Sequence, residues 1–333
     1  MRIGTNDSIT VLDHHRQSVV AAPAFVRTDS VLIRDFGPWA GPLRVISIDG
    51  IVNAASRRAR CGRGGRDVSR GGAWWERALG SGSAVLEQEL ENLLDGREVA
   101  SLLTQVVVDG DDPAFRAPTK PIGPVYSEVE ARARAAARGW SIAPDGAGWR
   151  RAVPSPRPKS IVGQRTIEIL LDFGVVVICT GGGGIPVVRA ADGSLHGVEA
   201  VIDKDRSAAL LARELDADAL LLLTDVDALM ADWGTPGARR VKEAHPDSLA
   251  PDDFAAGSMG PKVAAACESA SLTGKPAYIG ALGDAGSVLA GETGTRISIA
   301  GADLLLGADA MSSDAPMTNS LTHGTRTRGP STG

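Results

Sequence analysis

The chain has 333 residues, of which 43% are hydrophobic, and a net charge of −5. This length allows one large or two medium domains with a buried core. The mildly acidic balance favours neither nucleic acid nor a membrane surface as a partner, and the apolar runs are far shorter than a membrane-spanning helix. Three widely spaced cysteines (Cys61, Cys179 and Cys267) are typical of a reducing cytoplasm. We expect Cys179 and Cys267 to be core residues, because both lie in apolar patterns.

Residues 1–83 differ in composition from the rest of the chain. They contain twelve arginines, seven acidic residues and no lysine. Val45–Ile51 predicts a strand, whereas Ser56–Gly72 is a run of Arg, Gly, Ser and Cys that offers little for a core. We therefore interpret residues 1–83 as an atypical segment, and two hypotheses are open for it: poor folding, or translation of the coding DNA in a wrong frame.

Residues 85–298 follow an orderly α/β pattern in which apolar runs alternate with amphipathic segments. The predicted strands are Thr104–Val108, Val175–Thr180, Val198–Ile202, Ala219–Leu223, Pro276–Leu282 and Thr295–Ser298. The predicted helices are Ala84–Leu94, Ile161–Phe173, Asp205–Leu215, Lys262–Thr273 and Asp284–Ala290. This alternation predicts a mainly parallel sheet covered on both faces.

Two segments interrupt or end that pattern. Asp109–Lys159 is rich in proline and contains one short predicted helix, roughly Ser127–Arg138, so we interpret it as a small protruding subdomain. Residues 301–333 are predicted to be a disordered tail, although Leu304–Leu306 could pack.

A run of four glycines follows the buried type of strand at Val175–Thr180. Glycine adopts positive φ and lets the backbone approach a ligand, as an anion-binding nest requires. A flexible tight turn is the alternative interpretation. The position after a strand's carboxyl end favours ligand binding, and the residues concerned are Gly181, Gly182, Gly183 and Gly184.

Two lysines lie at predicted helix starts, where unpaired N–H groups attract anions. Lys262 ends the tight segment Gly257–Lys262, and Lys204 lies between Asp203 and Asp205. An ordinary exposed lysine beside a helix-capping aspartate is the alternative for Lys204. Against it, the helix dipole disfavours a cation in the first turn, so the two lysines together indicate phosphoryl transfer.

Two further residues are candidates for the site. Asp225 follows the apolar strand Ala219–Leu223, and it either caps the next turn or borders a nucleotide or its metal. Lys120 lies in the proline-framed loop Pro118–Gly123 at the base of the subdomain, and the chain has only six lysines against twenty-nine arginines. Most loop lysines are solvated and idle, but this scarcity favours a role for Lys120. Metal-binding His or Cys spacing and the Walker A pattern are both missing from the sequence.

Taken together, these residues resemble the carbamate kinases of the amino acid kinase family. The resemblance covers about residues 85–297. It lies in Leu86–Leu90, Pro118–Pro124, Gly139–Gly146, Trp149–Arg151, Gly181–Pro186, Gly197–Asp205, Thr224–Asp227 and Ala256–Lys262. Gly139–Gly146 (Gly-Trp-Ser-Ile-Ala-Pro-Asp-Gly) distinguishes the carbamate kinases from their acetylglutamate, aspartate and uridylate kinase relatives.

The resemblance implies a three-layer α/β/α sandwich with a protruding subdomain at about residues 109–159. Residues 84–200 would form the lobe that binds carbamate or carbamoyl phosphate, and residues 201–300 the lobe that binds ATP or ADP. The implied reaction is reversible phosphoryl transfer between carbamoyl phosphate and ADP, giving ATP and carbamate, as in arginine catabolism. It also implies a cytoplasmic homodimer whose contact lies close to Ala84–Leu94.

The resemblance also implies roles for individual residues, each taken from the family position that it matches. Lys204 and Lys262 match lysines that bridge the phosphates, and Asp205 matches the aspartate that orients them. Lys120 matches a lysine that the subdomain brings over the site. The glycines Gly181–Gly184 match a loop on the carbamoyl side, and Mg²⁺ would bridge the nucleotide phosphates. The nucleotide region would comprise Asp225, Met259, Gly260 and Lys262.

Residues 1–83 and the tail after about residue 300 do not match this pattern. The family opens with a strand and a Gly-Gly-Asn turn and later carries a His-Gly-Asn-Gly-Pro-Gln loop, and neither string occurs here. Two alternatives to an active carbamate kinase are therefore open: a catalytically impaired relic that binds only nucleotide, and a related kinase that acts on another small acid.

Overall fold

The computed structural model describes residues 9–13, 18–22, 30–33, 45–47, 83–84, 86–92, 94, 96–254 and 259–310. The strands are β1 Ile9–Asp13, β2 Ser18–Ala22, β3 Ser30–Ile33, β4 Val45–Ser47, β5 Val99–Ser101, β6 Gln105–Val108, β7 Lys120–Tyr126, β8 Ser141–Asp145, β9 Gly148–Val153, β10 Pro158–Ile161, β11 Val176–Cys179, β12 Ile185–Arg189, β13 Leu195–Gly197, β14 Ala219–Thr224, β15 Met230–Ala231, β16 Arg239–Ala244, β17 Ala277–Ala281, β18 Thr295–Ile297 and β19 Leu304–Ala310. The helices are α1 (residues 86–92), α2 Glu128–Arg138, α3 Gln164–Asp172, α4 Lys204–Glu214, α5 Met259–Thr273 and α6 Ala285–Leu289.

The largest sheet has the strand order β15-β16-β18-β17-β14-β3-β4-β11-β5, with β19 also paired to β16. Parallel pairs join β11 to β4 and β5, β14 to β17, and β16 to β18. Antiparallel pairs join β14 to β3 and β3 to β4, so β11 and β14 run in the same direction. The predicted α/β class is confirmed, and the sheet combines both kinds of pairing.

Strand β14 shows why the fold has three layers. Its residues are apolar without interruption, because both faces of the strand are covered. Leu220 and Leu222 belong to the same core as the buried residues of α4 and α5. Leu221 and Leu223 pack instead with α6 and its neighbours. Successive side chains of a strand point to opposite faces, so helices cover this sheet on both sides.

Two smaller sheets accompany the main one. One has the order β10-β6-β12-β13. The other, β7-β9-β8, is antiparallel and carries α2. These elements lie within residues 109–159, and that they protrude as a subdomain stays a prediction. Ser127 caps α2 through its side-chain oxygen, and the chain leaves the helix through Gly139 in the left-handed conformation. The predicted helix Ser127–Arg138 is confirmed.

Several predicted boundaries need correction. The predicted strand Val198–Ile202 is wrong: Val198 and Val201 donate their N–H groups to Pro186 and Pro154 separately, and no ladder forms. The predicted helix Ile161–Phe173 starts too early, because Ile161 ends β10 and Gly163 precedes α3 in the left-handed conformation.

Other predictions concern the two ends of the chain. The predicted strand Val45–Ile51 is shorter, Val45–Ser47. The tail predicted for residues 301–333 begins with a strand, β19, and residues 311–333 lie outside the described part. Cys179 is buried in β11 and Cys267 is partly buried against the core, as predicted. Cys61 lies outside the described residues. Among the described residues, no helix has the length and apolarity needed to cross a membrane.

Candidate active site

The start of α4 collects the charged residues of the candidate site. Asp203 is the N-cap: its Oδ1 accepts hydrogen bonds from the backbone N–H groups of Asp205 and Arg206, at 3.0 and 3.3 Å. These two bonds satisfy N–H groups that a helix start would otherwise leave unpaired. The helix therefore begins at Lys204, with one carboxylate on each side of that lysine.

Lys262 reaches this point from the first turn of α5. Its Nζ lies 2.9 Å from Oδ1 of Asp205, and the two side chains are only 7% and 4% exposed. Removing two charges from water is unfavourable unless they are paired, so this ion pair fixes both side chains in one position. Helix α5 begins at Met259, three residues before the predicted start, and residues 255–258 of the loop lie outside the described part.

Lys120 reaches the same helix start from the subdomain. It is the first residue of β7, opposite Val153 of β9, and not a loop residue as predicted. Its Nζ lies 2.8 Å from Oδ2 of Asp203, with the two side chains 35% and 11% exposed. Lys120 is therefore paired with a carboxylate rather than free in solvent, and its role at the site stays a prediction.

Lys204 lies between the two carboxylates and is half-buried. Its charge attracts both Asp203 and Asp205. Burial raises the pKa of Asp203, but the charge of Lys120 and its hydrogen bond outweigh this and hold that pKa below its ordinary value. Burial raises the pKa of Asp205 above its ordinary value, despite the opposing charges of Lys262 and Lys204. Three ammonium groups and two carboxylates thus meet at one helix start.

The glycine loop packs directly on α4. Residues Gly181–Gly183 form one 3₁₀ turn after β11, and Gly182, Gly183 and Gly184 all have positive φ. Ser207 of α4 donates its hydroxyl hydrogen bond to the carbonyl of Gly183 at 2.7 Å. A Cβ atom on Gly183 would lie 2.3 Å from the carbonyl oxygen of Ile202. Close approach of two backbones therefore requires glycine here.

The amides of this loop are of two kinds. The N–H groups of Gly183 and Gly184 bond back to the carbonyls of Thr180 and Gly181. Within the described part of the chain, the N–H groups of Gly181 and Gly182 form no hydrogen bond. These two amides are the ones that an anion could use.

The residues predicted for the nucleotide lie at two places. Asp225 directly follows β14, is exposed, and accepts a hydrogen bond from the hydroxyl of Thr224 at 3.2 Å. Because β11 and β14 run in the same direction, Asp225 and the glycine loop lie at the same edge of the sheet, the edge where α/β sheets bind ligands. Met259 and Gly260 form the first turn of α5 beside Lys262. Met259 also packs against the core.

Two residues of the site were not among the predicted site residues. Asp203 was predicted as a helix cap and as one of the two carboxylates that flank Lys204, but it also binds Lys120 across 83 residues of sequence. Ser207, buried in α4, connects the helix to the glycine loop. An aspartate before Lys-Asp is a readable signal of a cap, but nothing local in the sequence indicates which distant lysine its second oxygen binds.

Comparison with known proteins agrees with this geometry. A sequence model described as the amino acid kinase family matches residues 89–281. The chain belongs to the amino acid kinase family. The carbamate kinases of Haemophilus influenzae and Escherichia coli K12 are each 51% identical over 215 residues, covering 64% and 65% of this chain and 69% and 71% of their own lengths. The carbamate kinase of Pyrococcus furiosus is 44% identical over 222 residues, 64% of this chain and 70% of its own length. The predicted resemblance to carbamate kinase is thereby confirmed.

Solved structures of this family share the fold. The Giardia lamblia carbamate kinase bound to AMP-PNP has a TM-score of 0.64 and 37% identity, covering 74% of this chain and 81% of that one. The same protein bound to citric acid has a TM-score of 0.62 and 38% identity, covering 74% and 80%. The predicted amino acid kinase fold is therefore confirmed.

Proposed function

We propose that this chain is a carbamate kinase, which transfers a phosphoryl group reversibly between carbamoyl phosphate and ADP. The products in one direction are ATP and carbamate, and carbamate breaks down to ammonia and CO₂. The observation that carries the proposal is the group of three lysines and two aspartates at the start of α4. These are the residue types that phosphoryl transfer needs, since its catalysis is mostly positioning and charge neutralisation.

The lysines have separate tasks in this proposal. Lys204 and Lys262 neutralise the oxygens of the phosphoryl group as it moves, and Asp205 keeps the ammonium of Lys262 at a fixed place. Their pairing supports this, because Lys262 is nearly inaccessible to water and has one carboxylate partner 2.9 Å away. A fixed, dry cation needs little reorganisation when charge develops beside it. Lys120 adds a third positive charge from the subdomain.

The glycine loop and the nucleotide residues complete the proposed site. The amides of Gly181 and Gly182, which form no hydrogen bond within the described residues, would hold oxygens of carbamoyl phosphate. The contact of Gly183 with α4 would keep them close to the lysines. Asp225, Met259 and Gly260 would border the nucleotide. In this proposal the two substrates would lie on either side of the lysines, as a direct transfer requires.

We propose that Mg²⁺ enters the site with the nucleotide, as part of the substrates Mg-ADP and Mg-ATP. Within the described residues, no group of three or more His, Cys, Asp or Glu could hold a metal ion. Mg²⁺ commonly binds through substrate phosphates and few protein carboxylates, so the donor set agrees with a nucleotide-borne ion. The family resemblance also supports a cytoplasmic homodimer that acts in arginine catabolism; light scattering of the purified protein would test the dimer.

The experiment is ATP formation by the purified full-length chain from carbamoyl phosphate and Mg-ADP. Lys262→Ala is expected to lower kcat by at least about 10²-fold, the usual effect of losing one preorganised charge donor. Lys275→Ala is the matched control, because Lys275 follows the same helix but makes only a half-exposed pair with Asp218 at 3.6 Å. Binding of ADP without turnover would contradict the proposal and select the nucleotide-binding relic. Turnover of acetyl phosphate but not carbamoyl phosphate would select a kinase for another small acid.

A further inference from the structure

A basic groove lies on the outer side of the two helices whose first turns form the candidate active site. The groove encloses a cavity of about 140 Å³ between the start of β10, helix α4 and helix α5. The cations that line it are Arg206 and Arg213 of α4 and Arg157 and Lys159 from the β10 segment. Glu268 of α5 is the one acidic residue among the lining residues. Four cations and one anion therefore surround a small cavity in a chain whose net charge is −5.

The sequence positions explain why these charges meet. Arg206, Leu210 and Arg213 are spaced by four and three residues, so they lie on one face of α4. Leu210 is 6% exposed and lines the groove together with Arg206 and Arg213. Arg213 is nine residues beyond Lys204, about 14 Å along the helix at 1.5 Å per residue. The groove is lined by none of the three lysines or two aspartates of the candidate active site, although the backbone N–H of Arg206 bonds to Asp203.

The partners of these cations leave most of the positive charge available. Arg157 has Glu268 at 3.8 Å, beyond the usual hydrogen-bond distance, and Lys159 pairs with Asp109 at 3.0 Å. Within the described residues, neither Arg206 nor Arg213 forms an ion pair. The charge of Arg213 also attracts Glu214, its neighbour in sequence.

We propose that this groove binds a small, multiply charged oxyanion, with a phosphate group as the chemistry that fits best. Two guanidinium groups on one helix face offer paired N–H donors to a tetrahedral oxyanion, which is the interaction in which arginine exceeds lysine. Arg157 and Lys159 close the groove from the subdomain side. The ligand thus bridges α4 to the β10 segment that leads out of the subdomain. The binding does not depend on the proposed kinase activity.

Calorimetric titration of the wild-type protein with inorganic phosphate at constant ionic strength tests this. The Arg157→Gln/Arg213→Gln double variant is expected to bind at least tenfold more weakly. Lys262→Met retains the groove and is expected to keep this binding. Arg165→Gln is the matched control, because Arg165 is an exposed arginine of α3 outside the groove, paired with Glu168 at 3.2 Å. A second titration with glycerol 3-phosphate shows which kind of phosphate the groove prefers. Tighter binding than that of inorganic phosphate indicates a phosphate ester as the ligand, and equal binding indicates free phosphate.

The proposal is overturned by a wild-type protein that binds no phosphate, or by a double variant that binds as the wild type does. Equal weakening by Arg165→Gln would also overturn it, because it would show a general charge effect. Circular dichroism checks that the double variant folds. If it does not, the single variant Arg213→Gln, whose side chain is exposed, replaces it and is expected to weaken binding at least threefold.

Discussion

The buried pair between Lys262 and Asp205 permits a quantitative test that separates its structural role from its chemical one. The atoms are 2.9 Å apart and both side chains are more than nine-tenths buried. Breaking such a pair by removing one partner destabilises a protein by about 3–5 kcal/mol, because the other charge is left buried and unpaired. With an unfolding entropy of about 2.1 cal/mol/K per residue, a chain of 333 residues loses about 1.4 °C in Tm per kcal/mol. Each single variant is therefore expected to lose at least about 4 °C.

The two single variants are not expected to be equal. In Lys262→Met, Asp205 still has Lys204 nearby and can take up a proton, because burial already raises its pKa. The loss is therefore expected near about 3 kcal/mol, the lower limit for a broken buried pair. In Asp205→Asn, two ammonium groups remain together without the carboxylate that attracted both. That loss is expected near the upper limit of about 5 kcal/mol.

Urea unfolding and ATP formation from carbamoyl phosphate are measured on both single variants and on Lys262→Met/Asp205→Leu. The double variant is expected to regain most of the stability, because no unpaired charge remains, yet to stay inactive. Lys275→Met breaks a half-exposed pair with Asp218 and is the control, with an expected loss of about 0–1 kcal/mol. Additive losses in the double variant, or single variants as stable as the control, would refute the reasoning. Recovery of activity in the double variant would refute the chemical role.

Three further predictions concern the same region. Gly183→Ala is expected to lower both stability and activity, because φ is +99° and a Cβ would lie 2.3 Å from a backbone oxygen. Gly193→Ala is the control in urea unfolding: φ is +87° but the space around it is open, so it measures the backbone effect alone. Asp203→Asn is expected to destabilise the folded protein at pH 7. The folded pKa of Asp203 is lowered, so the ionised carboxyl stabilises the fold above its unfolded pKa of about 3.9. This stabilisation fades as pH falls through the folded pKa. Unfolding curves at pH 7 and at about pH 3, below the unfolded pKa, check this, and a difference from wild type that grows towards acid would contradict it. Cys179 is expected to resist iodoacetamide at pH 8 in the folded protein, because burial raises its thiol pKa to about 12; peptide mass spectrometry detects any labelling.

The secondary-structure elements that could be predicted from sequence are those in which a single physical cause, such as burial or helix capping, determines the local residue pattern. Strand β14 is apolar on both faces because helices cover both, and its boundaries were predicted to within one residue. Helix α4 begins where an aspartate can cap it, and that start was predicted to within one residue too. Strand β16 was missed because its sequence Arg-Arg-Val-Lys-Glu-Ala contains four charged residues, and only Val241 and Ala244 are buried. This segment forms a strand because it pairs with β18 and β19, and such pairing is not visible in local sequence.

The candidate site shows the same limit at the level of single contacts. Lys120, Lys204 and Lys262 could be identified because lysine is scarce here and each lies in a framed turn or at a helix start. Their partners could not be assigned in that way. Lys120 lies in register with Val153 across β7 and β9, and only that pairing brings it to Asp203. Long-range register depends on the packing of whole sheets.

The two aspartates at the start of α4 explain how lysines from distant segments meet at one point. Asp203 lies outside the helix and uses one oxygen for the cap, which leaves the other for Lys120. Asp205, two residues later, is inside the first turn and receives Lys262. The subdomain and α5 are therefore tied to one helix start by one ion pair each, with Lys204 between them. Because the carboxylates hold the ammonium groups before any substrate arrives, the proposed phosphoryl transfer would meet positive charge that is already positioned, which is the condition for electrostatic catalysis.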